Sequence, residues 1–179
     1  VAKAKKLLKE SGQIIPTLKL IATSDQAEVA SAIQTSLKRI GIKVNIQTLD
    51  SEVFSDAETN DEGDYDLVIG GWQPDFPSPY ANLSPLFDSS QIGHGNYNLS
   101  RYANDEVDGL IKKATETVDT KEAGKIWAQA DKRIMQDAAV VPLLYSHNTF
   151  IHGSNVDNFY VGSFPAYPNY LTVSLKSGN

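Results

Sequence analysis

With 179 residues, 41% of them hydrophobic and 21% charged, the chain is long enough for one substantial core and is neither disordered nor fibrous. It contains no cysteine, which excludes disulfides, thiolate metal sites and thiol nucleophiles together and leaves the redox compartment open. The net charge of −6 is unevenly spread, since Val44 to Ser100 holds no Lys or Arg against ten Asp and Glu; that window repels nucleic acid and attracts a cationic or amine-bearing ligand.

The first element expected is a helix over Ala2–Ser11, with Ala4, Leu7 and Leu8 on one face and Gly12 as its stop. A strand over Leu18–Ala22 follows Pro16. Asp25 is placed to cap the next helix, with Glu28 three residues on, and Val29, Ile33, Leu37 and Ile40 mark its apolar face up to Gly41. The alternating run Val44–Leu49 then completes a strand, helix, strand unit, which implies a parallel pair. Ser51 is positioned to start a short helix through Glu58, and the polar turn Thr59–Asp66 leads into an apolar strand, Leu67–Gly70. Being apolar on both faces, that strand is expected in mid-sheet. The loop after it, GGWQPDFPSPYANL, therefore leaves the carboxyl end of a strand, where open α/β sheets bind ligands.

Beyond the loop, Val107, Leu110, Ile111 and Ala114 form one helical face, capped by Asn104 or Asp105. Ala123, Ile126, Trp127, Ala130 and Ile134 form another, entered through Asp119 with Glu122 as capping box, and the two helices are expected to pack as an antiparallel pair. Val140–Tyr145 reads as a strand, with Pro142 placing it at an edge or bulge. Phe150 to Asn179 is rich in Gly, Pro, Asn and Tyr and reads as an irregular tail that crosses to something else. No repeat or linker divides residues 1–149. The fold class is thus α/β, a mixed and largely parallel sheet with flanking helices.

Catalytic chemistry finds no positive support. There is no Gly-x-Ser-x-Gly motif, and Gly70-Gly71 lacks the Lys of a phosphate-binding loop. His94, His147 and His152 lack the helical spacing of metal ligands, and Glu62, Asp64 and Asp66 do not fit a calcium loop. No metal or cofactor is expected. The quoted loop admits two readings: Trp72 and Phe76 as core residues with Asp75 as a turn former, or a stiffened wall whose Asp75 accepts an ammonium group and whose Trp72 adds a cation–π contact.

The order of motifs resembles a known family, the extracellular solute-binding proteins of the oligopeptide and dipeptide type (family 5) that serve ABC importers, in their C-terminal lobe. The resemblance runs through AKKLLKESG (Ala4–Gly12), LKRIGIKVNIQ (Leu37–Gln47), YDLVIGGWQPDFPSP (Tyr65–Pro79), YANDEVDGLIKKA (Tyr102–Ala114) and AAVVPLLY (Ala138–Tyr145). It implies a periplasmic-binding-protein-like lobe over residues 1–149 and a tail over 150–179 that returns to an N-terminal lobe absent from this chain. It further implies an extracytoplasmic protein, periplasmic or anchored as a lipoprotein, that is not an enzyme, captures a peptide in an inter-lobe cleft and hands it to a membrane permease. In this family the Gly-Trp-x-x-Asp segment lines the cleft, which carries the ligand amine to Asp75 and sets Gly71, Trp72, Gln73 and Phe76 beside it. Relatives that take nickel complexes, sugars or opines keep those ligands open as alternatives, and a small-molecule hydrolase is the rival from another class. This chain also lacks a signal and an anchoring cysteine, so it is expected to be a fragment whose half chamber binds poorly alone.

Overall fold

The computed structural model describes residues 1–60 and 62–176. Its elements run α1 (Ala2–Ser11), β1 (Leu18–Thr23), α2 (Ala27–Lys38), β2 (Val44–Leu49), α3 (Ser51–Thr59), β3 (Leu67–Val68), α4 (Tyr80–Phe87), α5 (Asp105–Glu116), α6 (Thr120–Gln136), β4 (Val156–Asp157) and β5 (Ser174–Leu175). The chain has an α/β fold with a parallel sheet and flanking helices, and it divides into two compact units. Val1–Gly71 with Pro85–Gly109 form the first, and Trp72–Ser84 with the chain from Leu110 onward form the second.

In the first unit the strand, helix, strand unit forms as its spacing predicts. β1 and β2 run parallel from Leu18 opposite Val44 to Thr23 opposite Leu49. α2 lays Ala30 onto Leu20, Ala22 and Val44, with Ile33 and Leu37 closing over them. A methyl group at position 30 lets the helix approach the sheet closely, and Gln34 Nε2 donates to the Val44 carbonyl at 2.9 Å. The helix entry differs from expectation. A short 3-10 turn, Ser24–Gln26, precedes α2, and the Thr23 N–H donates to Gln26 Oε1 at 3.0 Å, so Thr23 and Gln26 do the capping expected of Asp25 and Glu28. Gly12 ends α1 in the left-handed conformation, φ 64°, which a residue without Cβ adopts freely. Of the α1 face, Ala4 and Leu8 are half-buried and Leu7 is exposed.

The strand order is β2-β1-β3, with β3 parallel to β1. β1, not β3, is therefore the inner strand, and the expectation of a mid-sheet Leu67–Gly70 is corrected. Burial says the same: Leu20, Ile21 and Ala22 are sealed on both faces of β1, whereas Leu67 and Val68 are half-buried and the strand ends after two residues. Asp66 fixes the start of β3, accepting from the Lys19 N–H at 2.7 Å while its own N–H donates to the Lys19 carbonyl at 2.9 Å. The Tyr65 hydroxyl sits 2.7 Å from the Leu99 carbonyl, and burial pushes its pKa up. Asn98, the buried polar residue of this unit, is fully engaged: Nδ2 donates to the Asp88 and Tyr102 carbonyls, and Oδ1 accepts from the Tyr102 N–H and the Ser100 hydroxyl.

In the second unit α6 buries the stripe its sequence marks, Ala123, Ile126, Trp127, Ala130 and Ile134. Asp119 caps it, accepting from the Glu122 N–H at 2.8 Å. Asp119→Ala is expected to destabilise this unit by about 0.5–2 kcal/mol, read from hydrogen exchange of the first turn of α6; unchanged protection there would show that the cap contributes nothing. Ahead of α5, Asn104 rather than Asp105 is the cap, accepting from the Glu106 N–H at 3.0 Å.

Val140–Tyr145 is not a strand. It runs as exposed coil, with Leu144 68% and Tyr145 98% accessible. A strand exists only where a neighbour takes its N–H and C=O groups, and no described strand pairs with this segment, from which Pro142 also removes a donor. The following residues contain one two-stranded antiparallel ribbon, β4 with β5, within otherwise irregular chain, and Ser177, Gly178 and Asn179 of the expected tail lie outside the described residues.

Candidate functional site

The loop from Trp72 to Leu83 belongs to the second unit, and its stiffness has a visible source. Trp72 is half-buried and its indole N–H donates to the Ala81 carbonyl at 2.8 Å, which ties the start of the loop to the first turn of α4. Ala81 itself is buried. Between these ends, Pro74, Pro77 and Pro79 fix three backbone φ angles and lower the entropy lost on ordering the loop. The Ser78 N–H donates to the Phe76 carbonyl at 2.8 Å, tightening the bend further.

Held in this way, the loop presents its side chains differently. Gln73 and Asp75 are exposed, and Asp75 makes no hydrogen bond or ion pair among the described residues. Gly71 is exposed too, and a Cβ placed there would meet nothing within 4 Å, so it owes its place to neither strain nor crowding. Phe76 stacks on Tyr80 with ring centroids 6.2 Å apart, and Tyr80 in turn meets the Trp127 ring edge-on at 6.4 Å. Such pairs each add about 0.5–1.5 kcal/mol beyond buried area.

Alongside this aromatic run lies a groove of about 500 Å³. Pro74, Phe76 and Leu83 wall one side, Gly124, Trp127, Ala128 and Asp131 of α6 the other, and Phe164 contributes a third aromatic ring. Of the sequence-derived site residues, Phe76 lines this groove, whereas Gly71, Trp72, Gln73 and Asp75 do not. Trp127 and Asp131 were not legible as site residues. Their signal was present in the spacing: Gly124, Trp127, Ala128 and Asp131 fall at i, i+3, i+4 and i+7, one continuous stripe of α6.

The histidines are dispersed. His94 and His147 are exposed, and His152 packs its ring against Phe159 at 4.8 Å. Among the described residues no three His, Cys, Asp or Glu come together as metal donors. The arrangement offers aromatic surface, an unpaired carboxylate on a rigid loop and a second carboxylate in a groove, which is equipment for binding.

Comparison with known proteins matches residues 1–94 to the bacterial extracellular solute-binding proteins, family 5 Middle. The probable D,D-dipeptide-binding periplasmic protein DdpA of Escherichia coli K12 is 35% identical over 131 residues, which cover 73% of this chain and 25% of the relative. Among solved structures, the clavulanic acid biosynthesis oligopeptide binding protein 2 aligns with a TM-score of 0.82 at 27% identity, over 97% of this chain and 33% of that one. The ABC transporter-associated periplasmic binding protein DppA from Helicobacter pylori, solved in complex with peptide STSA, gives a TM-score of 0.70 at 30% identity, over 79% of this chain and 28% of that one. The chain thus spans between a quarter and a third of the length of these relatives.

Proposed function

The chain belongs to the bacterial extracellular solute-binding proteins of family 5, and from that premise we propose that it is the ligand-binding lobe of a peptide-capturing component of an ABC importer. In this reading residues 1–149 form the lobe and 150–179 return to the remainder of a longer protein, which completes the cleft. The protein works outside the cytoplasm, in the periplasm or anchored at the membrane surface, and delivers its peptide to a membrane permease. It binds without chemistry, as the family description of solute binding supports.

The observation that carries the reading is the loop itself: a proline-stiffened, indole-tethered segment whose Asp75 stands exposed and without a partner beside an aromatic face. A carboxylate held in this way, in a stretch with no Lys or Arg between Val44 and Ser100, favours a ligand that brings its own positive charge. The free α-amino group of a peptide meets that requirement, and a neutral sugar does not. Gly71, Trp72, Gln73 and Phe76 are assigned to the wall around that amine.

The test is calorimetric titration of the full-length protein with a panel of di-, tri- and longer peptides carrying free N-termini. Micromolar or tighter binding is expected for some members, about −8 kcal/mol in free energy. Binding of none, alongside binding of a neutral solute, overturns the proposal.

A further inference from the structure

We propose that the groove between the Pro74–Leu83 loop and α6 is a subsite for an arginine side chain of the bound peptide, with Asp131 as partner of the guanidinium; this rests on the peptide-capture reading above. The groove's volume, about 500 Å³, lies within the range of about 300–1,000 Å³ typical of ligand pockets. Its lining is mostly apolar, yet Asp131 stands in it. That carboxylate makes no hydrogen bond or ion pair among the described residues.

The cations next to it in sequence do not supply the missing charge: Lys132 makes no ion pair with it, and Arg133 reaches to Asp137 at 2.9 Å. On α6 the positions one turn either side of Asp131 are Trp127, Ala128, Ile134 and Met135, none of them a cation. Across the groove, the loop lies in the stretch from Val44 to Ser100 that contains no Lys or Arg. Asp131 is the one charged residue among those lining the groove. An apolar occupant would strip water from this carboxylate and return nothing. A cationic occupant replaces that water with a charge-assisted hydrogen bond.

The rest of the lining selects the shape of the cation. Phe76, Trp127 and Phe164 offer aromatic faces or edges, and Gly124 and Ala128 leave room above the helix. A planar guanidinium stacks on aromatic rings and meets a carboxylate with two parallel N–H donors, whereas a lysine ammonium is a compact and strongly hydrated point charge. Arginine therefore fits better than lysine. Phe76 also follows Asp75 directly, about 3.8 Å away along the backbone, so the proposed amine anchor and this groove adjoin on one stiff loop.

The experiment titrates the full-length protein with tripeptides of alanine in which arginine, lysine, norleucine or glutamate is walked through each position. At one position arginine should bind roughly tenfold more tightly than norleucine, with lysine between them and glutamate weakest. Asp131→Asn should bring the arginine peptide to the affinity of the norleucine one, and Asp131→Glu should keep part of the difference. Raising the salt to about 0.5 M should shrink the preference, because its source is partly solvated charge. If arginine and norleucine bind alike at every position, or the preference survives Asp131→Asn, the subsite is overturned while peptide capture stands. If no tripeptide or longer peptide binds at all, capture fails and the subsite falls with it.

Discussion

Asp75→Asn in the full-length protein should leave the fold intact and weaken binding of free-amine peptides by about 2–5 kcal/mol, roughly 30-fold or more, since under the proposed function it removes one partner of a desolvated charge pair. The competing account makes Asp75 a turn former, for which asparagine serves equally well and affinity does not change. The structure gives that account little to stand on. The Asp75 side chain bonds to no backbone group among the described residues, and the bend around it is held by the Trp72 indole, the prolines and the Ser78 N–H. Acetylating the peptide's N-terminus should reproduce the loss in the wild-type protein. The mutation and the acetylation together should not add fully, because they delete the same interaction. Four titrations close the cycle. An acetylated peptide that binds the wild type as tightly as the free one removes Asp75 from the role of amine anchor.

What the sequence disclosed divides along the distance over which its signals act. Local signals were read correctly for α6 but not at the entry of α2, where Thr23 and Gln26 do the capping expected of Asp25 and Glu28. Asp119 caps α6 as its spacing from Glu122 predicts, and the five apolar residues read as its inner face are the five it buries. The parallel pairing of β1 with β2 was also legible, because a helix of α2's length between two strands leaves few alternatives. Strand order was not. Leu67-Val68-Ile69 is as apolar as Leu20-Ile21-Ala22, and nothing within either run tells which has neighbours on both sides. Val140–Tyr145 failed for the related reason that an apolar run becomes a strand only beside an open edge.

The groove shows a different limit. Trp127 was assigned to the buried stripe of α6 and is indeed only 7% accessible, yet it also forms part of the groove lining. Amphipathic periodicity sorts residues into inside and outside, and a binding surface lies on the boundary between them. Asp131 sits on the polar side of that boundary, where a charged residue on a helix is ordinarily a solvated one. What sets it apart is the absence of a cation at i±3 and i±4, a feature that gains meaning once the loop's aromatic residues are seen across from it.

The stability of the sheet should depend on Leu20 more than the size of its side chain alone implies. Leu20 is 1% exposed on the central strand and packs with Ala22, Ala30 and Val44, beneath α2. Leu20→Ala removes three carbons from a site whose neighbours cannot easily collapse. Ala30 and Ala22 are already the smallest side chains there, and β1 is held in register from both sides by β2 and β3. A loss of about 2–5 kcal/mol is expected, near the upper end if the cavity stays open. Leu18, half-buried at the start of the same strand, provides the comparison: Leu18→Ala should cost roughly half as much or less, because part of its surface is already in water. Hydrogen exchange of the β1 and β2 amides in the full-length protein reads this unit directly, where a global melting curve would average it with the rest of the chain. A drop in protection of less than about 1 kcal/mol for Leu20→Ala would mean that α2 settles into the gap and that the sheet tolerates a smaller residue at its centre.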